Sequence, residues 1–164
     1  MIIDTHQHFW NYNPFRDSWI DDSMGVIRRD FLPKDLKPIL EDNAVDGCIA
    51  VQADQSEAET NFLLQCAKEN PFVKAVVGWV NLCADDIEIR LEHFSKNKVF
   101  KGVRHIIQAE NETFVLRSDF QNGISKLERF GLVYDILVFP QHLENIIKLA
   151  QKFPKQHFIL NHIA

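Results

Sequence analysis

Six short runs of apolar and β-branched residues recur along the chain and constrain its fold more than any other feature. They lie at residues 1–6, 47–52, 73–80, 99–106, 132–138 and 157–162. Each run is almost continuously apolar, which is typical of parallel strands in a sheet that is covered on both faces. The stretches between the runs have helical periodicity. The sequence therefore predicts an α/β fold in which strands and helices alternate.

Five helices are predicted in the intervening stretches. They cover residues 33–41, 56–70, 84–96, 119–130 and 140–153. The second is the most clearly marked, because Ser56 and Glu59 have the spacing of a capping box at its start. Such an alternation forms either an open doubly wound sheet or a closed barrel. No G-x-G-x-x-G or P-loop sequence follows any strand, which weakens the nucleotide-binding forms of the open sheet.

The length of the chain limits how much of a barrel it can form. A complete (β/α)8 barrel of the TIM type needs ~250 residues, whereas this chain has 164. We therefore expect one domain over residues 1–164 that comprises about the first six β/α units of an incomplete barrel and stops before strands seven and eight. Such a sheet has two open edges, so we also expect the chain to associate with itself.

Composition and charge exclude several classes of partner. The formal net charge is −5, and Lys and Arg are scattered among Asp and Glu, so nucleic acid is not expected to bind. No apolar run reaches the roughly 18 residues of a membrane span, and no signal peptide is visible. The three cysteines have no C-x-x-C spacing. We expect a cytoplasmic protein with a small-molecule substrate.

Two histidines, His6 and His8, stand at the end of the first strand. Side chains alternate along a strand, so both imidazoles project to the same face. Two neutral imidazoles form half of a site for one divalent cation such as zinc or manganese. The simpler alternative is a pair of hydrogen-bonded histidines with no ligand.

Polar or aromatic side chains also stand towards the carboxyl ends of the later strands. These are Gln52, Trp79, Arg104, His105, Asp135 and His162. Barrel enzymes build their sites on this face, so the shared position predicts an active site there. Arg104 and His105 are neighbours on one strand, and only one of them can face the barrel interior. An alternative for Asp135 is a structural ion pair with Arg104.

A long aromatic segment, residues 9–32, follows the first strand and includes Trp10. Loops of this length are usually functional or disordered, and so aromatic a loop is unlike a disordered one. It forms either a substrate wall or simple packing over the barrel mouth. His93, His142 and His157 are predicted at the surface.

Several segments resemble a known family in chain order. They are IDTHQHFW at residues 3–10, VQA at 51–53, VGWV at 77–80, KGVRH at 101–105, YDIL at 134–137 and LNH at 160–162. Together they resemble the amidohydrolase-related family that contains L-fucono-, L-rhamnono- and pyrone-dicarboxylate lactonases. The resemblance implies an amidohydrolase barrel and hydrolysis of a lactone ring by an activated water.

The resemblance also implies roles for individual residues. His6 and His8 match a first-strand pair that binds a divalent metal in many relatives and substrate in some. His162 matches the sixth-strand histidine, and we expect these three to be catalytic. The substrate-binding residues expected beside them are Trp10, Gln52, Trp79, Arg104 and His105.

The bridging lysine or glutamate of binuclear amidohydrolases is not apparent in this sequence, so the resemblance implies at most one metal. Some lactonases of the group resemble metal-independent enzymes, so the resemblance leaves open whether a metal is bound at all. In relatives the eighth strand supplies an aspartate that acts as general base or metal ligand. The given sequence ends before that strand, so we expect little turnover from the 164-residue chain alone. Two alternatives stay open. One is a metal-dependent decarboxylase of aromatic acids, and the other is a non-catalytic barrel remnant that binds a small acid.

Overall fold

The computed structural model of the chain describes residues 1–163. Its strands are β1 (Ile3–Gln7), β2 (Gly47–Val51), β3 (Val73–Gly78), β4 (Phe100–Ile106), β5 (Val133–Leu137) and β6 (Phe158–Leu160). Its α-helices are α1 (Pro33–Asp42), α2 (Glu57–Glu69), α3 (Ile87–Ser95), α4 (Ser118–Leu127) and α5 (Leu143–Lys152). The predicted alternation is confirmed, and the ends differ from those predicted by a few residues.

All six strands are parallel and form one sheet in chain order, from β1 to β6. A doubly wound sheet reverses its strand order part-way, so this order excludes that alternative. The sheet is the curved wall of a partial barrel, with β1 and β6 at its edges. The predicted half-barrel is confirmed.

The hydrophobic core lies between the convex face of the sheet and the helices. Fully buried members include Leu63 on α2, Leu91 on α3 and Phe120 on α4. Gly123 lies inside α4 because a Cβ there would collide with the backbone carbonyl of Leu82. This close approach explains why a residue of poor helix propensity is tolerated in the helix.

The start of α2 follows its predicted cap in part. The Ser56 hydroxyl accepts a hydrogen bond from the Glu59 amide at 3.2 Å, as a capping box requires. The Glu59 carboxylate instead accepts from the amide of Ala53. It therefore anchors the loop that joins β2 to α2, next to the carboxyl end of the sheet.

The prediction that His142 lies at the surface is wrong, whereas His93 and His157 are exposed as predicted. His142 is 1% exposed. It belongs to a 3-10 turn, Pro140–His142, that turns inward, and its Nε2 lies 3.3 Å from the carbonyl oxygen of Glu110. No helix within residues 1–163 is long and apolar enough to span a bilayer.

Candidate active site

Three histidines and an arginine meet at the carboxyl ends of the strands, on the concave face of the sheet. The ring centroids of His6 and His8 lie 4.9 Å apart, and those of His6 and His162 lie 4.6 Å apart. Arg104 Nη1 lies 3.2 Å from His6 Nε2. The curvature of the sheet thus brings residues from its two edges, β1 and the end of β6, into one cluster with a side chain of β4.

The hydrogen bond of the His8 ring determines which of its two nitrogens carries the proton. His8 Nδ1 lies 2.8 Å from the carbonyl oxygen of Val51, which can only accept a hydrogen bond. In neutral His8 the proton therefore lies on Nδ1, and Nε2 carries a lone pair. A histidine held in this way by a backbone carbonyl can offer its Nε2 lone pair to a hydrogen-bond donor or to a metal.

Arg104 is held almost entirely by protein atoms. Its Nη2 donates to the backbone carbonyl of Gln52, and the Gln52 side chain donates back to the Arg104 carbonyl at 3.2 Å. Its Nη1 contacts His6 and lies 3.4 Å from Asn161 Oδ1. The residue is 3% exposed. Arg104 is therefore a fixed charge inside the protein and not a free side chain at the surface.

Asn161 continues this network to Asp135. Asn161 Nδ2 donates to Asp135 Oδ2 at 3.2 Å, and Asn161 Oδ1 accepts from Arg104. Asn161 thus bridges Arg104 and Asp135, and residues 1–163 contain no direct ion pair between those two. Asn161 is not among the residues that the sequence predicts for the site. Its position at the end of a strand, next to His162, was the signal available.

Burial controls the charges of this site. It lowers the pKa of His6 and of His8 to about 4 each, and the guanidinium of Arg104 acts in the same direction. Burial also lowers the pKa of Arg104 to about 10, which leaves it charged at neutral pH. Burial raises the pKa of Asp135, although the hydrogen bond from Asn161 and the positive charge of Arg104 oppose this. At neutral pH the site therefore holds one permanent cation beside two neutral imidazoles.

Arg104 and His105 face opposite sides of the sheet, as strand alternation requires. Arg104 takes the concave side, so His105 is not part of the histidine cluster. His105 instead contacts Trp79, which follows β3, with 3.3 Å between the indole Nε1 and His105 Nδ1. Trp79 lies between the ends of β2 and β4, at the same rim of the sheet as Gln52.

Trp10 belongs to the long aromatic segment, which packs against the start of α2. Its backbone pairs with that of Phe31, and the two rings lie 4.5 Å apart. A cavity of about 160 Å³ separates Trp10 from Ser56 and Phe62. Trp10 is thus paired with Phe31 within this segment, and its cavity adjoins α2.

Comparison with known proteins assigns the family. The model of the amidohydrolase family matches residues 3–164. The chain belongs to the amidohydrolase family. It is 37% identical over 162 residues to an L-fucono-1,5-lactonase from Burkholderia multivorans, covering 98% of this chain and 54% of that protein. It is 31% identical over 163 residues to an L-fucono-1,5-lactonase from Burkholderia ambifaria, covering 99% of this chain and 56% of that protein. The chain thus spans about half the length of these curated relatives.

A solved structure agrees with this assignment. A crystal structure of a Burkholderia multivorans amidohydrolase with bound zinc superimposes with a TM-score of 0.93 at 36% identity. The match covers 98% of this chain and 57% of that one. The predicted amidohydrolase-type barrel is therefore confirmed for the part of the barrel that this chain spans.

The donor set can be tested against a divalent ion. His8 suits one, because it is neutral and no hydrogen bond within residues 1–163 occupies its Nε2 lone pair. His6 does not suit one as placed, because the guanidinium of Arg104 lies at its Nε2 and repels a second cation. Nor do the side chains of residues 1–163 provide a group of three or more His, Cys, Asp or Glu arranged to hold a metal. Within residues 1–163, His8 therefore offers a ring nitrogen to a divalent ion, whereas Nε2 of His6 is occupied by Arg104.

Proposed function

We propose that this chain forms the greater part of the active site of a lactonase that opens a sugar-acid lactone. The observation that carries the proposal is the convergence of His6, His8 and His162 around the buried charge of Arg104. The two L-fucono-1,5-lactonases at 37% and 31% identity favour lactone hydrolysis over decarboxylation of aromatic acids. Both proteins are nearly twice as long as this chain, so the activity of the whole enzyme is part of the proposal.

Hydrolysis of a lactone builds negative charge on the carbonyl oxygen in the transition state. A fixed positive charge in a dry site stabilises such an oxyanion strongly, because no solvent has to reorganise. Arg104 supplies this charge. Because Nε2 of His6 accepts from the guanidinium, the proton of neutral His6 lies on Nδ1, where it can donate to the oxyanion.

The attacking water needs an acceptor for its proton. His8 is placed to orient that water, because its Nε2 lone pair is free. With a pKa of about 4, however, His8 is a weak base at neutral pH, since an effective base has a pKa near the working pH. We therefore propose that the described residues bind the lactone and stabilise its transition state, with little turnover from this chain by itself.

The remaining proposed contacts concern the substrate ring. We propose that Trp79 and Trp10 contact the sugar from the rim. Gln52 is fully buried and hydrogen-bonded to Arg104. We therefore propose that Gln52 acts on the substrate indirectly, by holding Arg104 in place. Arg104 would in turn act through its positive charge and not through hydrogen bonds to the substrate.

A divalent ion is the alternative source of positive charge. We propose His6 and His8 as its ligands, and the guanidinium of Arg104 would have to withdraw from His6 Nε2 before both could bind it. An ion at this position would polarise the lactone carbonyl as a Lewis acid. This alternative therefore requires the Arg104 side chain to move away from His6, which is a measurable change.

We further propose that the protein forms one domain, acts in the cytoplasm and associates through its open sheet edges. The three cysteines are free, as a reducing compartment requires. Apolar residues at both edges are exposed, including Ile2 at 60%, Ile159 at 47% and Leu160 at 46%. Light scattering tests the association, and a stable monomer at micromolar concentration would contradict it.

The central experiment measures lactone binding and opening together. An L-fuconolactone is added to the purified chain, binding is followed by ligand-observed NMR, and acid release is followed by pH-stat titration. We expect binding by the wild-type chain, with acid release slightly above that of matched His8→Ala and Arg104→Met variants. Absence of binding, or preference for a carboxylated aromatic acid, would overturn the proposal.

A further inference from the structure

The convex side of β4 carries a second hydrogen-bonded group, centred on a histidine that the proposed reaction does not use. His105 stands at its centre. Its Nδ1 lies 3.3 Å from the indole Nε1 of Trp79, and its Nε2 lies 2.9 Å from the Glu110 carboxylate. His105 is 9% exposed. Its ring stacks on that of Phe114, with 4.9 Å between the centroids, and meets the Phe120 ring edge-on, with 6.1 Å between the centroids. Both polar atoms of a buried imidazole are thus occupied.

The chemistry of these partners determines where the protons lie. An indole N–H is a donor only, so His105 Nδ1 must accept from Trp79. Neutral His105 therefore carries its proton on Nε2 and donates it to the Glu110 carboxylate. The direction of the whole relay, from Trp79 through His105 to Glu110, follows without any choice of tautomer.

We propose that this relay, formed by Trp79, His105 and Glu110, positions the Trp79 indole at the rim of the candidate site, and that protonation of His105 releases it. A protonated imidazole carries hydrogen on both nitrogens. Nδ1 would then point a donor at the indole donor, and the contact would become repulsive. The contact with Glu110 would strengthen, because both partners would be charged. That the indole is a wall of the substrate site rests on the proposed function; the relay itself does not.

The surroundings of His105 make it the group that responds. Glu110 is the charged side chain that acts on it, from the segment after β4. The other faces are aromatic, with Phe114 and Phe120 on one side and the buried, neutral phenol of Tyr134 beyond Phe120. On the far side of the relay, His142 Nε2 lies 3.3 Å from the backbone carbonyl oxygen of Glu110 and so holds the backbone that carries the Glu110 carboxylate.

The direction of the titration follows from burial. Burial lowers the pKa of His105 from its usual value, while the hydrogen bond and charge of Glu110 oppose the change. His105 is therefore neutral at neutral pH, and the relay is intact there. Release of the indole is expected only below the pH at which an unperturbed histidine titrates.

The test uses the indole N–H signals in a proton–nitrogen NMR spectrum. The chain has three tryptophans, so a Trp79→Phe variant assigns the Trp79 signal by its loss. We expect this signal to lie downfield at neutral pH and to move upfield as the pH falls from about 7 to about 4, because the pKa of His105 lies below the usual histidine value of about 6.5. A Trp79 signal that does not move while the amide spectrum stays dispersed would overturn the relay.

Two variants of His105 separate its two bonds. In His105→Asn the side-chain oxygen can accept from Trp79, so we expect the downfield signal to persist without pH dependence. In His105→Gln the amide can donate to Glu110 but the acceptor at Nδ1 is lost, so we expect an upfield signal at every pH. Identical Trp79 signals in the two variants would contradict the assignment. If neither variant folds, the wild-type titration decides alone.

A lactone titration then tests the link to the site. At neutral pH, addition of an L-fuconolactone is expected to shift the Trp79 signal in the wild-type protein. A titrating Trp79 signal that ignores a lactone shown to bind elsewhere would refute the placement of the indole at the substrate while leaving the relay intact. Failure to bind lactone at all would instead contradict the proposed function.

Discussion

The two sides of β4 show how differently one strand can treat adjacent residues. On the concave side, Arg104 is surrounded by polar groups that keep its charge buried and fixed. On the convex side, His105 lies among aromatic rings, and burial keeps it neutral. The concave side thus holds a permanent charge, whereas the convex side holds a titratable one. The difference teaches that the function of each side chain is set by its partners and not by its place in the sequence.

The largest loss of stability is expected from a substitution among the aromatic rings around His105. Phe120 is fully buried against both His105 and Tyr134. Phe120→Ala should lower the free energy of unfolding by about 4 kcal/mol, because it removes a ring and leaves a cavity. Urea unfolding measures the change. Phe15→Ala, at a side chain that is 91% exposed, is the matched control and should change it by less than ~0.5 kcal/mol. Equal effects of the two substitutions would contradict the packing described.

A somewhat smaller loss of stability is expected from a substitution that breaks the polar network around Arg104. Arg104→Met keeps the length of the side chain but leaves the Gln52 carbonyl and Asn161 Oδ1 without their donor. We expect a loss of about 3 kcal/mol in unfolding free energy, since buried polar groups left unpaired are costly. The exposed Arg129→Met serves as the control for loss of one charge. A variant of Arg104 as stable as the wild type would mean that the network does not form.

The pH dependence of stability sharpens the comparison further. His6 and His8 have pKa values of about 4 in the folded chain and 6.5 when unperturbed, so the unfolded state binds their protons first. Stability should therefore be full above about pH 6.5 and should fall as the pH decreases, by on the order of 2 kcal/mol for His8 at about pH 5 and by less for the half-exposed His6, whose charge solvent screens. Chemical unfolding in metal-free buffer measures it. His8→Asn should flatten the curve, and an unchanged slope in that variant would contradict the assignment.

The smallest predicted effect concerns metal affinity. Arg104→Gln removes the guanidinium from His6 Nε2, so zinc should bind the variant about tenfold more tightly, or ~1.4 kcal/mol. Isothermal titration calorimetry at a temperature where both proteins are folded gives the ratio. Arg90→Gln, at an exposed salt bridge with Glu57, should leave zinc affinity unchanged. Equal affinities in all three proteins would show that Arg104 does not compete with the ion.

Local patterns were enough to predict the elements and the general position of the site. Continuous apolar runs identify buried parallel strands, and the Ser56 cap marks a helix start, because both depend on residues near each other in the chain. The spacing of His6 and His8 likewise places both imidazoles at the end of one strand. The resemblance to amidohydrolases added the family and the lactonase reading, which periodicity alone could not supply.

Partners far apart in the chain could not be predicted in this way. Arg104 and His6 are separated by 98 positions, and their contact exists only because the sheet curves until β1 and β6 approach each other. The inward turn of His142 and the bridge made by Asn161 have the same origin. By itself the sequence determined the strands, the helices and which neighbours share a face. Only the tertiary structure decided which face is concave, because that depends on how the whole sheet bends around its core.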